Sequence, residues 1–399
     1  MSVTALDQSP VLEGVKVSPG VAGRGRVSFR TLDAWRGFAS IWVVMDHASM
    51  PIIATRYPQL RSNPLYAFSL CGALGVQIFF VISGFCIANA AVGSLHNRKP
   101  WGFAAARLRR IYPPYFFAAS QAFLLSLLAV WLLSHAYLQS SQMARANVLG
   151  QSALYYFAHL TLTHIPLHQE PILNVFWTLS YEVGFYSIVF LLVLMGAKRK
   201  QQPRTLLDAL HIVTIASLLL LIVAPSLHMF PLNLWPQFGF GVLVFDLLSH
   251  PKSLQPRIYA AIVFAQTLLF AMPRNYGENA WSMDSQGKFL FALSFAVVLL
   301  AIYKFDAALI RIAPIRLLSK IGIFSYSLYL THLLATGIVL QLGRALLTTP
   351  SRFFLSYCLQ IIAAILYAYF FYLCFERPFM SRTLSSRRVV ALHTDDLNE

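Results

Sequence analysis

A stretch of apolar sequence near the start of the chain, LDAWRGFASIWVVMDH, holds Asp33, Arg36, Asp46 and His47. Histidine is the side chain best suited to take and return a proton near neutral pH, or to accept an acyl group transiently. Arginine presents a planar fork that matches phosphate and carboxylate. Arg36 and His47 are eleven residues apart. On a helix they fall within about 20° of one line, about 16 Å apart along the axis. Asp33 lies about 40° off that line, and Asp46 is turned about 100° away from His47. Alone, Arg36 fits an anchor that snorkels to the membrane surface, and His47 fits a hydrogen bond between helices. Two polar groups on one stripe of an apolar helix point instead into a cavity of a bundle, because lipid would leave both unsolvated.

Further segments carry similar groups. Trp177-Thr178-Leu179-Ser180-Tyr181-Glu182 is followed one turn on by Phe185 and Tyr186. Glu182 is expected about 12 Å deep from the outer side, a depth comparable with that of His47. The two are expected to pair as a base and the group that orients it; an ion pair between Glu182 and an arginine is the plainer alternative. Arg107, Arg109 and Arg110 precede Pro113-Pro114, where the third span is expected to open, and three guanidiniums there suit a phosphate-rich ligand. Simple anchoring by a basic cytoplasmic loop explains them equally well. Ser83-Gly84, within 75–85, forms a small polar notch of the kind that lets helices approach closely. Ser325 to His332 (SYSLYLTH) adds Tyr326 and a second intramembrane histidine, and Glu376-Arg377-Pro378 ends the last apolar run.

The elements that must position these groups are membrane helices. Of the 399 residues, 57% are hydrophobic and 12% charged, with a mean hydropathy of +0.62. Soluble domains are about 25% charged, so a soluble globular enzyme, a disordered chain, a fibre and a disulfide-stapled domain are excluded. Apolar runs at 33–53, 71–92, 114–135, 174–195, 206–226, 232–249, 258–272, 289–304, 322–342 and 353–375 predict an all-α polytopic membrane protein of about ten transmembrane helices. The seventh and eighth runs are short. The stretch 150–165 reads as an interfacial amphipathic helix.

The net charge is +16, which in isolation suits nucleic acid as well as a membrane surface. Its distribution decides. With both termini cytoplasmic, 23 of the 31 Lys and Arg residues lie on the inner side, 7 lie outside, and Arg36 is within the first span. That is the positive-inside pattern, and no nucleic-acid partner is expected. Residues 1–30 and 379–399 read as cytoplasmic tails flanking one transmembrane domain, 31–378, with no cleavable signal peptide. Cys71, Cys86, Cys358 and Cys374 sit in apolar runs without metal-type spacing and are expected to be buried thiols, with no metal site.

In order along the chain, these segments resemble the bacterial acyltransferase-3 family. The family's opening Leu-Asp-Gly-Leu-Arg-Gly and later histidine are similar to Leu32-Asp33-Ala34-Trp35-Arg36-Gly37 and His47. Its Gly-Val-Asp…Phe-Phe-Val…Ser-Gly-Phe block resembles 75–85. Its Arg…Arg-Ile…Pro, Trp-Ser/Thr-Leu-x-x-Glu and Ser-Tyr-Ser-Leu-Tyr-Leu-x-His blocks resemble 107–113, 177–182 and 325–332. Ala34, Asp46 and Gln77 depart from the pattern, which expects glycine, an aromatic and an acidic residue. The resemblance implies a multi-pass protein of the bacterial cytoplasmic membrane that O-acylates a carbohydrate, an exopolysaccharide or its lipid-linked precursor. Acyl-CoA, expected as acetyl-CoA, is then a co-substrate, and no bound cofactor is expected. His47 would be base or acyl acceptor, Glu182 its orienter and Ser83 an oxyanion donor. Arg36, Arg107, Arg109 and Arg110 would hold CoA phosphates, and Trp177, Tyr326 and His332 would contact the acceptor. A proton-coupled carrier or flippase of a sugar-type substrate is the rival use of buried His, Glu and Arg. Paired halves with interrupted helices, the usual mark of such carriers, are not visible in the sequence.

Overall fold

The computed structural model describes residues 27–55, 57–134, 148, 150–225, 227, 229–272, 283–343 and 349–380. Most of both expected tails and several of the basic residues assigned to loops, including Arg24, Arg26, Arg145, Arg274 and Arg387, lie outside the described residues. All regular structure among the described residues is helical. In chain order the helices are α1 (Leu32–Thr55), α2 (Pro64–Leu70), α3 (Gly75–His96), α4 (Pro100–Ser134), α5 (Ala153–Thr161), α6 (Trp177–Lys198) and α7 (Pro203–Val223). They continue with α8 (Trp235–Ser249), α9 (Gln255–Ala271), α10 (Met283–Ile302), α11 (Asp306–Leu309), α12 (Ala313–Ile323), α13 (Ser325–Gly343) and α14 (Pro350–Phe371).

A helix occupies each of the ten apolar runs, but their ability to span differs. Among the described residues, six helical stretches are long and apolar enough to cross a membrane: Pro64–His96, Pro100–Trp131, Asn174–Lys198, Pro203–Val223, Gln286–Leu309 and Ser351–Phe379. Taking α12 and α13, which meet at 76°, as one broken span raises the number to seven. The chain is thus a multi-pass membrane protein. α8 and α9 have 15 and 17 residues, at or below the short end of what spans a bilayer. The eighth run, expected to be weak, lies in the 20-residue α10 and is among the six.

Local chemistry sets the helix ends. Proline stands in the first two positions of α2, α7, α8, α9, α12 and α14, where its missing N–H costs nothing. The entry to α1 is capped from far away: Asp306 accepts from the backbone N–H groups of Arg30 and Thr31 at 2.8 and 2.9 Å and from the Thr31 hydroxyl at 2.8 Å. Ser152 caps α5 by accepting from the Tyr155 N–H.

Two glycine pairs bring helix backbones together. A Cβ on Gly84 of α3 would lie 1.9 Å from the Phe238 carbonyl oxygen of α8, and one on Gly241 of α8 would lie 1.9 Å from that of Val81. Gly37 of α1 and Gly322 of α12 make the equivalent crossing against Leu318 and Asp33 at 2.0 and 1.8 Å. These contacts fix α3 against α8 and α1 against the α12–α13 bend, around a core that includes Phe85, Phe185, Phe238, Phe240 and Trp235.

Two expectations are corrected. The third span does not open at Pro113-Pro114: α4 begins at Pro100 and carries both prolines inside a 35-residue helix. Arg107, Arg109 and Arg110 are therefore helical residues, not a preceding loop. Nor are the cysteines buried thiols. Cys71 and Cys374 are exposed, and Cys86 and Cys358 are half-buried. An apolar run in a membrane helix has a face toward lipid as well as one toward protein, so hydropathy does not assign the side.

Candidate active site

α1, α3, α4, α6 and α13 surround a cavity of about 70 Å³, room for about two waters. Its lining includes Arg36, Ser83, Cys86, Arg107, Arg110, Thr178, Glu182, Tyr186, Tyr326 and Tyr329. Arg36 is 9% exposed. Its Nη1 donates to Asp33 at 2.9 Å and its Nη2 to Cys86 Sγ at 3.2 Å, so both arms of the fork are held within the protein. Arg107 and Arg110, three residues apart on α4, face the cavity. Arg107 lies 5.8 Å from the Phe103 ring centre, and its Nε is buried with no hydrogen-bond partner among the described residues. Arg109 is exposed and does not line the cavity, because one residue along a helix turns the side chain about 100°.

Glu182 enters from α6 and forms a compact trio. Tyr186, one turn on, donates to Glu182 Oε1, and Ser83 Oγ lies 3.3 Å from the same oxygen and 3.1 Å from the Tyr186 hydroxyl. A carboxylate held by two hydroxyls inside a cavity with three guanidiniums can accept a proton or balance positive charge there. Tyr326 donates to the Ile111 carbonyl at 3.0 Å. That bond ties the start of α13 to the middle of α4.

The expected Glu182–His47 pair does not form. No hydrogen bond or ion pair joins them among the described residues. His47 Nδ1 lies 2.9 Å from the Val43 carbonyl oxygen, and its ring centre is 5.0 Å from that of His332. Matching depth on two helices leaves open which faces meet, and α1 turns His47 toward α13. The stripe on α1 is therefore divided: Arg36 lines the cavity, and His47 belongs to a separate histidine pair. Tyr329 links the two parts, since it lines the cavity and its ring lies 5.8 Å from Phe79 and 6.0 Å from His332. Trp177 is outside the lining and packs on Phe80 and Tyr181, while its neighbour Thr178 faces in and donates to Tyr329 at 2.8 Å. Ser83 faces the cavity, and the adjacent Gly84 makes the crossing with α8.

Among the polar lining residues, Cys86, Thr178, Tyr186, Ser325 and Tyr329 were absent from the expected set. Tyr186 is four residues from Glu182, Cys86 three from Ser83, and Tyr329 three from Tyr326, all at helical spacing. Thr178 lies directly beside Trp177. The helix face around each expected site residue holds Tyr186, Cys86 and Tyr329, one turn away.

Residues 29–372 match the family described as the acyltransferase domain, and the chain belongs to that acyltransferase-3 family. Among curated proteins, BcsY of Komagataeibacter xylinus, named as a membrane-bound transacylase, is 26% identical over 323 residues, covering 76% of this chain and 72% of BcsY. ORF330 of Acidianus two-tailed virus, named as an acetyltransferase, is 24% identical over 321 residues, or 75% of this chain and 81% of the relative. The O-acetyltransferase OatA of Staphylococcus aureus is 26% identical over 195 residues, which is 48% of this chain and 29% of OatA. No solved structure matches. The protein is accordingly a membrane O-acyltransferase.

Proposed function

We propose that the protein moves an acetyl group from acetyl-CoA, bound from the cytoplasmic side, to a hydroxyl of a carbohydrate such as an exopolysaccharide or its lipid-linked precursor. The observation that carries this reading is the convergence of Arg36, Arg107, Arg110, Glu182 and Ser83 on one cavity inside the acyltransferase domain. Arg107, whose buried Nε lacks a partner, and Arg110 suit the phosphates of the donor. Arg36, already held at both ends, keeps Asp33 and Cys86 in place at the wall. His47, with Nδ1 fixed on a carbonyl, presents Nε2 as the base for the acceptor hydroxyl. Ser83, on the cavity wall, would turn its hydroxyl from Glu182 to the oxygen that becomes negative during transfer. Trp177, Tyr326 and His332 were expected to contact the acceptor. Of these we retain Tyr326 near the cavity.

The reading includes ten crossings with both termini cytoplasmic, one domain over 31–378, and residence in a bacterial inner membrane. The charge distribution supports it. The names of BcsY and OatA speak of transacylation and O-acetylation, which fits the reaction class.

Two measurements test it. Acetyl-CoA raises the unfolding temperature of the purified protein. His47→Ala abolishes acetylation, read by mass spectrometry of the cell's polysaccharides, with membrane insertion unchanged. Wild-type acetate content in His47→Ala removes His47 from the chemistry. Substrate-driven proton flux in vesicles without acyl transfer would favour the carrier.

A further inference from the structure

His332 is fully buried at 0% exposure, and its Nε2 has no hydrogen-bond partner among the described residues. A buried polar atom left unpaired is costly and calls for an explanation. Its other nitrogen, Nδ1, lies 3.0 and 2.9 Å from the carbonyl oxygens of Leu328 and Tyr329. Carbonyls only accept, so Nδ1 carries the hydrogen and Nε2 carries the lone pair. His47 is held in the same way, its Nδ1 on the Val43 carbonyl. The two rings stand 5.0 Å apart, centre to centre, and 65° to one another.

Both neutral rings are therefore locked in the same tautomer by their own helices. Each offers an acceptor at Nε2, and neither has a hydrogen there to give. The pair is one proton short of a hydrogen bond. Packing alone does not account for this, because an apolar residue would fill the position of His332 without an orphaned nitrogen.

We propose that His47 and His332 act as a two-histidine proton store, with His332 a positioning residue for acyl transfer that acts through His47, and not an acceptor-binding one. The inference rests on the proposed function, in which His47 is the base. The acceptor oxygen forms its bond to the acyl carbon as the carbon–sulfur bond of the donor breaks. The hydroxyl proton passes to His47 Nε2, where His332 Nε2 accepts a hydrogen bond from it and holds it against loss. The same proton then moves to the departing CoA thiolate, so the pair returns to its starting state and no other reagent is needed.

The test uses full-length protein in detergent or nanodiscs with acetyl-CoA and the de-O-acetylated polysaccharide as acceptor. His332→Ala and His332→Gln lower turnover about 100-fold or more, the scale of a lost base partner. The KM for acetyl-CoA stays within about twofold of wild type on the same grounds, and acetyl-CoA still protects against heat. Added imidazole restores turnover in His332→Ala but not in His332→Gln, whose amide fills the site. Turnover near the wild-type value in either variant overturns the pair. So does a loss that imidazole does not restore while heat protection persists, since His332 would then be structural. Should the variants fail to fold, the wild-type protein decides: on acidification ¹⁵N-histidine NMR shows the pair taking up a single proton coupled to both Nε2 nitrogens, and two imidazoles that take up protons independently overturn the proposal. If wild-type protein neither binds acetyl-CoA nor transfers acetate, the underlying reading fails as well, and that outcome is distinct from all of these.

Discussion

At the scale of residues, the cavity separates arginines by what already holds them. Both arms of Arg36 are engaged, by Asp33 and Cys86, whereas Arg107 has a buried Nε without a partner among the described residues. A phosphate adds more where a donor is free. Arg107→Gln should raise the KM for acetyl-CoA about tenfold or more, the size of one charged hydrogen bond, with turnover little changed. Arg36→Lys keeps the charge but cannot reach two partners in a fixed plane, so turnover should fall while KM moves less. Steady-state kinetics of the two variants check this, and equal KM effects would return phosphate capture to Arg36. The candidate groups themselves, Arg36, His47, Glu182 and the 107–110 arginines, were legible in the sequence because charge in an apolar run is costly wherever it falls. Their pairing was not. Helical spacing relates residues on one helix, such as Arg36 and His47, but says nothing of which face another helix presents. Glu182 thus met Tyr186 and Ser83, and His47 met His332.

At the scale of elements, the crossings place the site. Gly84 lets α3 touch α8, and its neighbour Ser83 is thereby turned to the cavity. Gly84→Leu should lower the unfolding temperature and weaken acetyl-CoA protection together, because the Cβ would meet the Phe238 backbone at 1.9 Å; an unchanged melting curve would show that the crossing relaxes freely. α5 and the loop after it, outside the spans, carry a different sensitivity. His164 is fully buried, its ring stacks on His159 at 5.4 Å, and burial, with His159 beside it, lowers its pKa from 6.5 to about 4. His159 is also lowered, by burial, against the hydrogen bond to the Tyr155 carbonyl. Because the folded value lies below the unfolded one, the unfolded chain takes up the proton first as pH falls. Stability is full above about pH 6.5 and declines toward pH 4, by on the order of 3 kcal/mol at most. Thermal unfolding across that window should show the decline, and His164→Gln should flatten it in part, leaving the contribution of His159. The boundaries of α4 show why elements were harder to read than runs: apolar content begins near Pro114, but the helix begins at Pro100 and carries its arginines with it.

At the scale of the whole molecule, orientation decides whether the arginine cavity can meet a cytoplasmic donor. Three short reversals, α3 to α4 at 97–99, α6 to α7 at 199–202 and α8 to α9 at 250–254, fold neighbouring helices back on one another. They carry Arg98, Lys99, Arg199, Lys200 and Lys252. In the proposed ten-crossing arrangement all three lie on one side, and the positive-inside rule would make that side the cytoplasm. Arg107 stands seven residues into α4 from Pro100, about 10 Å along its axis from the basic turn. Arg110 lies one turn further. The cavity is thus closer to the basic turns than to the opposite face, and the donor's phosphates need enter only part of the bilayer. Reporter domains inserted at residues 98, 200 and 252 should report the cytoplasm, and one inserted at residue 168, between α5 and α6, should report the outer side. Should α8 and α9, with their 15 and 17 residues, fail to cross as a pair, the reporter at 252 alone would change sides. The first two turns would stay inside and the donor route would be unaffected. If the reporters at 98 and 200 lie outside, the cavity opens away from the cytoplasm, and a CoA donor bound there from within the cell is ruled out.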